Sequence, residues 1–128
     1  CKAAGHRVAL ATNPIFPAVA TESRIRWAGL APETFAWYTT YENIGYCKPN
    51  PDYYREILRY LGCRAEDCLM VGNDVEEDMM AAQAAGLSVF LLTDCLLNRK
   101  EKDISSYPQG DFDALLAFVE EWGGEASL

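Results

Sequence analysis

Asp74 and Asp78 stand four positions apart, just after an apolar run, Cys68-Leu69-Met70-Val71, that stops at Gly72. The run predicts a buried strand and the glycine a tight turn. The small-residue pattern from Met79 to Ala85, closed by Gly86, predicts a helix. In a parallel α/β sheet, ligands bind at the carboxyl ends of strands, where this turn falls. Two nearby carboxylates there suit a hard, oxygen-seeking cation such as Mg²⁺. The alternative is structural: Asn73 or Asp74 caps the helix, and the acids answer its dipole.

Two further spots carry chemistry. Thr12-Asn13 follows the short apolar run Arg7 to Ala11. A hydroxyl and the backbone N–H groups of a turn can hold phosphate oxygens, although an ordinary turn with local hydrogen bonds has the same residues. Lys48-Pro49 stands just ahead of a predicted helix start. Its ammonium could neutralise charge on a transferring phosphoryl group, or be simply a solvated loop charge.

The elements that must position these residues alternate. A strand is predicted over residues 7–11, a helix from about Pro17 to Ala28 ending at Gly29, and a second strand over Phe35 to Thr40. Asn50 should cap a helix with Pro51 at its first position, Tyr54, Ile57, Leu58 and Leu61 on one face, and Gly62 at its end. Strands follow at Cys68 to Val71 and Leu87 to Leu92, then a polar loop from Asp94 to Gly110. The closing helix, capped by Asp111, places Phe112, Leu115, Leu116, Val119 and Trp122 on a packing stripe. Strand–helix alternation of this kind predicts an α/β fold with a parallel sheet.

Composition narrows the function classes. About half of the 128 residues are apolar, enough for one domain with a core, and no apolar run approaches the roughly 18 residues of a membrane span. A net charge of −8 argues against a nucleic-acid binder, which needs basic clusters, but not against a phosphorylated substrate held by a local cation. Five cysteines, without a Cys-x-x-Cys pair, read as reduced thiols of a cytoplasmic protein rather than as a zinc site. The opening Cys1-Lys2-Ala3-Ala4-Gly5 lacks an initiator methionine and reads as the last turn of a helix, so a preceding segment is expected.

Taken as an ordered set, Val8-Ala9-Leu10-Ala11-Thr12-Asn13, Lys48-Pro49-Asn50-Pro51, and Val71-Gly72-Asn73-Asp74 with Asp78 and Ala81-Ala82-Gln83-Ala84-Ala85-Gly86 resemble the second, third and fourth motifs of the haloacid dehalogenase (HAD) superfamily of phosphohydrolases. The resemblance implies a three-layer, Rossmann-like parallel sheet. It also implies a Mg²⁺-dependent phosphatase acting on a small phosphorylated substrate through a phospho-aspartate. Carried over by residue, Thr12 and the backbone near Asn13 would bind the phosphoryl group, and Lys48 would stabilise charge on phosphate and nucleophile. Asp74 would bind Mg²⁺ directly. Asp78 would assist through a metal-bound water or by orienting Lys48.

One departure weighs against simple transfer. The family's Asp-x-Asp nucleophile motif stands ahead of the Thr-Asn turn, whereas residues 1–11 contain no acid. The resemblance therefore implies the carboxyl-terminal part of a single core domain, with its central first strand missing and the chain alone inactive. The interval from Thr12 to Lys48 already holds a strand and a helix, so no cap domain is expected in it. A missing central strand would leave an open sheet edge, through which self-association is expected. The competing reading is a non-catalytic α/β binding or regulatory module whose acidic turn is a helix cap or a regulatory metal site. A receiver-like signalling domain is disfavoured, since that fold expects its acids near the start of the chain.

Overall fold

A computed structural model describes residues 5–126, with side chains given to residue 122. The helical turn expected over residues 1–4 lies outside the described residues. The chain divides into two compact units, residues 1–47 and 48–128.

In the first unit, β1 (Ala9–Leu10) pairs in parallel with β2 (Trp37–Tyr38), Ala9 opposite Trp37 and Leu10 opposite Tyr38. Between them run α1 (Ala18–Trp27) and a 3₁₀ turn at Pro32–Thr34. Helix α1 buries Thr21 and Ile25 and ends where Gly29 takes a φ of 85°, letting the Leu30 N–H reach back to the Ile25 carbonyl at 3.2 Å. Both strands are shorter than their apolar runs predict. The ladder ends because side chains claim the next amides: Thr12 N–H donates to the Thr39 hydroxyl, and Thr40 N–H to Asn43 Oδ1.

In the second unit, α2 (Pro51–Leu61) starts as its sequence demands, with Asn50 Oδ1 accepting the Asp52 N–H at 2.9 Å and Pro51 in the first turn. Gly62 closes it in the left-handed conformation, φ 67°. Its buried face is Tyr53, Tyr54 and Ile57, turned slightly from the expected stripe because Tyr53 packs edge-on against Tyr54, ring centroids 5.0 Å apart.

Strand β3 (Leu69–Gly72) leads into a π-helical segment, Val75–Met80, continued by α3 (Ala81–Ala84). The Asp74 carbonyl accepts both the Asp78 and Met79 N–H groups, at 2.9 and 3.2 Å, which is how the wider turn begins. Strand β4 (Ser88–Leu92) is central to a parallel three-stranded sheet in the order β3-β4-β5, and its Val89, Phe90 and Leu91 are buried as an uninterrupted run. Strand β5 (Gln109–Gly110) falls at the end of what the sequence presents as loop; two residues carry no detectable alternation. Helix α4 (Phe112–Ala126) is capped by Asp111, whose Oδ1 accepts the Ala114 N–H at 2.9 Å. Its expected stripe is corrected: Phe112 and Leu116 are exposed, Leu115 is buried, and Phe118 tilts onto Phe90 of β4 at 5.1 Å.

All three strand pairings are parallel, and β1 and β3 belong to separate sheets. The architecture is thus an α/β, incomplete Rossmann-like sheet in two pieces. Among the described residues, no helix is long and apolar enough to cross a membrane, and Cys47, Cys63, Cys68 and Cys95 carry free thiols.

Candidate functional site

The residues singled out by sequence are divided between the units: Thr12 and Asn13 in the first, Lys48, Asp74 and Asp78 in the second. In the first unit, the turn after β1 is held by Thr39, which is fully buried. The Thr39 hydroxyl donates to the Thr12 carbonyl at 2.7 Å and accepts the Thr12 N–H at 2.8 Å. The two hydroxyl oxygens are also 2.8 Å apart. Since the single Thr39 proton goes to a carbonyl, Thr12 must donate in the hydroxyl–hydroxyl bond.

In the second unit the structure brings Lys48, Asp74 and Asp78 together, 30 residues apart in sequence at the widest. Lys48, which precedes a cis peptide to Pro49, places Nζ 2.7 Å from Asp78 Oδ1. Both side chains are nearly removed from solvent, 10% and 6% exposed. A buried ion pair holds only when further hydrogen bonds satisfy its members. Asp78 has one, because its Oδ2 accepts the Asp74 N–H at 3.1 Å.

Gly72 makes the room. A Cβ at that position would fall inside the van der Waals envelope of the Asp78 carboxylate. The glycine at the end of β3 is therefore a packing requirement of Asp78, and not only a turn former.

Asp74 caps the π-helical segment: its Oδ1 accepts the Glu77 and Glu76 N–H groups at 2.9 and 3.1 Å. Its Oδ2 is met by Nη1 of Arg99. Burial acts to raise the Asp74 carboxyl, but the Glu77 N–H, the Arg99 guanidinium and the Glu76 N–H together hold it below its usual range. Tyr54, buried beside the site, donates its hydroxyl to the Glu77 carbonyl at 2.8 Å. Burial and the neighbouring Asp78 charge push that phenol up, so it stays protonated.

Arg99, Thr39 and Tyr54 escaped the sequence reading. Arg99 sits in Asn98-Arg99-Lys100, a basic step in an acidic chain. That step was the available signal, but nothing local ties it to a carboxylate 25 residues earlier. Asp-x-Asp is spelt in the chain only at Asp111-Phe112-Asp113, where Asp111 is the cap of α4.

Comparison with known proteins agrees with this arrangement. The family model described as haloacid dehalogenase-like hydrolase matches residues 1–86. A glyceraldehyde 3-phosphate phosphatase from Methanothermobacter thermautotrophicus is 39% identical over 64 residues, half of this chain and 28% of that protein. The chain therefore spans little more than a quarter of that relative's length. The crystal structure of a HAD phosphatase from Thermococcus onnurineus superposes with a TM-score of 0.70 at 18% identity, covering 96% of this chain and 53% of the other. A Bacillus subtilis protein assigned as a HAD-hydrolase and solved with magnesium bound gives 0.69 at 23% identity, over 89% and 48%. These two structures share the fold. The second, third and fourth motifs lie within the matched residues, and the chain belongs to the haloacid dehalogenase-like hydrolase family.

Proposed function

We propose that this chain is the carboxyl-terminal part of the core of a Mg²⁺-dependent phosphohydrolase that cleaves a small phosphate monoester through a phospho-aspartate. The observation that carries the reading is the buried Lys48–Asp78 pair, set one hydrogen bond from the backbone of Asp74. A lysine desolvated against a carboxylate, at the carboxyl end of a parallel strand, is costly to maintain for stability alone. It suits a fixed positive charge for phosphoryl oxygens. The sequence likeness to a phosphatase and the fold likeness to a magnesium-bound relative support the same class.

The donor set fits Mg²⁺ in one respect. Asp74 Oδ2 already attracts a cationic group, the Arg99 guanidinium. Among the described residues no group of three or more metal-ligating side chains is gathered. Mg²⁺ is commonly held by one or two carboxylates together with waters and substrate phosphate, so a sparse set suits it better than a metal needing a closed cage. When bound, it would neutralise charge on the phosphoryl oxygens.

In this reading Asp74 holds the metal through Oδ2, and Lys48 neutralises a phosphoryl oxygen. Asp78, both of whose oxygens face Lys48 and the Asp74 amide, acts chiefly by orienting the lysine. Thr12 and the backbone near Asn13 contact the phosphate. An aspartate outside the described residues attacks phosphorus: its O–P bond forms, the ester P–O bond breaks, and the alcohol leaves with a proton. Water then cleaves the acyl phosphate, regenerating the carboxylate.

One observation favours the competing module reading: both Asp74 oxygens already have structural partners, a helix cap and Arg99. The deciding experiment uses the protein expressed from its complete reading frame. Mg²⁺-dependent hydrolysis of an aryl phosphate is expected, falling by at least about 100-fold in Asp74→Asn and in Lys48→Met. The 128-residue chain by itself should be inactive. A complete protein without phosphatase activity, or with activity indifferent to Asp74, supports the module.

A further inference from the structure

Segment 95–100 is fastened onto the acidic turn by its backbone. Leu97 N–H donates to the Asn73 carbonyl at 2.8 Å, and Val75 N–H to the Leu97 carbonyl at 3.0 Å. Together they make an isolated parallel bridge between Asp74 and Leu97. Asn73 Nδ2 adds a bond to the Cys95 carbonyl at 2.7 Å. Two residues past the bridge, Arg99 meets Asp74, and Lys100 Nζ takes Glu76 Oε1 at 3.0 Å. The backbone thus fixes the root of Arg99, while its side chain remains 57% exposed and can swing away without disturbing the core.

The two Asp74 oxygens are not equivalent. Oδ1 is committed to the Glu76 and Glu77 amides of the cap. Oδ2 is the oxygen available to a cation, and it is the one that Arg99 engages. A guanidinium and an arriving metal ion would compete for a single atom.

We infer that Arg99 is a specificity-determining residue of the Asp74 site, a resident monovalent cation that an incoming ion must displace from Oδ2. The inference rests on the reading of Asp74 as a metal-holding carboxylate. Charge then decides which ions succeed. Sodium or potassium would exchange one positive charge for another and forfeit a charge-assisted hydrogen bond. A divalent ion brings twice the charge to the same oxygen and so gains on exchange. The apparent dissociation constant is the intrinsic one divided by the fraction of molecules with Oδ2 open, so Arg99 also sets a concentration threshold for the metal.

The test is Mn²⁺ binding to the 128-residue chain, followed through the spin-resonance signal of the free ion and confirmed by Mg²⁺ competition. The panel is wild type, Asp74→Asn, Arg99→Gln and Lys100→Gln. Both basic side chains are exposed, so each variant should melt near wild type without metal. Asp74→Asn should abolish the tightest Mn²⁺ binding. Arg99→Gln should tighten it about fivefold or more, the gain expected when Oδ2 was open in a fifth of molecules or fewer. Lys100→Gln removes the same charge one residue away and should change it by less than about twofold, the general field effect. Potassium should also compete measurably with Mn²⁺ in Arg99→Gln, and not in wild type. If Arg99→Gln binds no more tightly than Lys100→Gln while Asp74→Asn still abolishes binding, the inference is overturned and the metal reading stands. If Asp74→Asn binds like wild type, both are overturned.

Discussion

The Thr39 hydroxyl satisfies three groups of one residue, the N–H, the carbonyl and the hydroxyl of Thr12, across 27 positions of sequence. It also uses its own full capacity, one donor and two acceptors, in doing so. The turn after β1 is therefore specified by a residue on the neighbouring strand's exit rather than by its own sequence.

Replacing Thr39 with valine keeps the shape and removes the hydroxyl. Buried partners then go unmet, which costs about 1–3 kcal/mol. Urea or thermal unfolding should show that loss, and Thr39→Ser should recover most of it. If valine is as stable as threonine, the three bonds do not hold the turn.

The Lys48–Asp78 pair should be strongly non-additive. Each side chain is almost wholly buried, so Lys48→Met or Asp78→Asn strands a charge and should cost about 3–5 kcal/mol. The double variant removes both charges and should cost less than the sum by more than about 1 kcal/mol. A cycle that closes additively would mean the 2.7 Å contact contributes nothing specific.

Gly72→Ala should reproduce the loss of that pair without touching either partner. The added methyl competes for the volume of the Asp78 carboxylate, so Asp78 must move away from Lys48 and from the Asp74 amide. Destabilisation comparable to Asp78→Asn is expected, and little further loss when the two are combined. Additive losses would place the clash elsewhere.

Much of this was legible because it is local. Asn50-Pro51 and Gly62 announce the ends of α2, and the Val71-Gly72-Asn73-Asp74 turn announces the site, each within a few residues. The alternation of strands and helices carried the parallel α/β class. What was not legible is long-range. Tyr53 reads as a flanking position until Tyr54 packs on its edge, and two-residue strands such as β5 have no period to detect. The partners of Asp74 and Thr12 lie 25 and 27 residues away, and only the folded chain pairs them. Lys48 and Asp78 were placed in one site by family resemblance, since 30 residues of separation carry no pattern of their own.

Asp74 should also leave a signature in acid. Its folded-state pKa lies below the ordinary 3.8, despite burial, because the Glu77 and Glu76 amides and the Arg99 guanidinium favour the carboxylate. A depressed folded value means the unfolded chain takes up the proton first as pH falls. The stabilisation is therefore fully present above the unfolded value and is lost as pH drops through the folded one. Asp74→Asn keeps an oxygen to cap the Glu76 and Glu77 amides but carries no charge for Arg99. Stability measured from neutral pH downward should therefore fall less steeply below about pH 4 in Asp74→Asn than in wild type. Arg99→Gln should flatten the same limb in part, since the amide bonds to Oδ1 remain. Parallel curves for all three proteins would mean that Asp74 does not titrate differently in the folded chain, and that the cap and the guanidinium do not act on its charge.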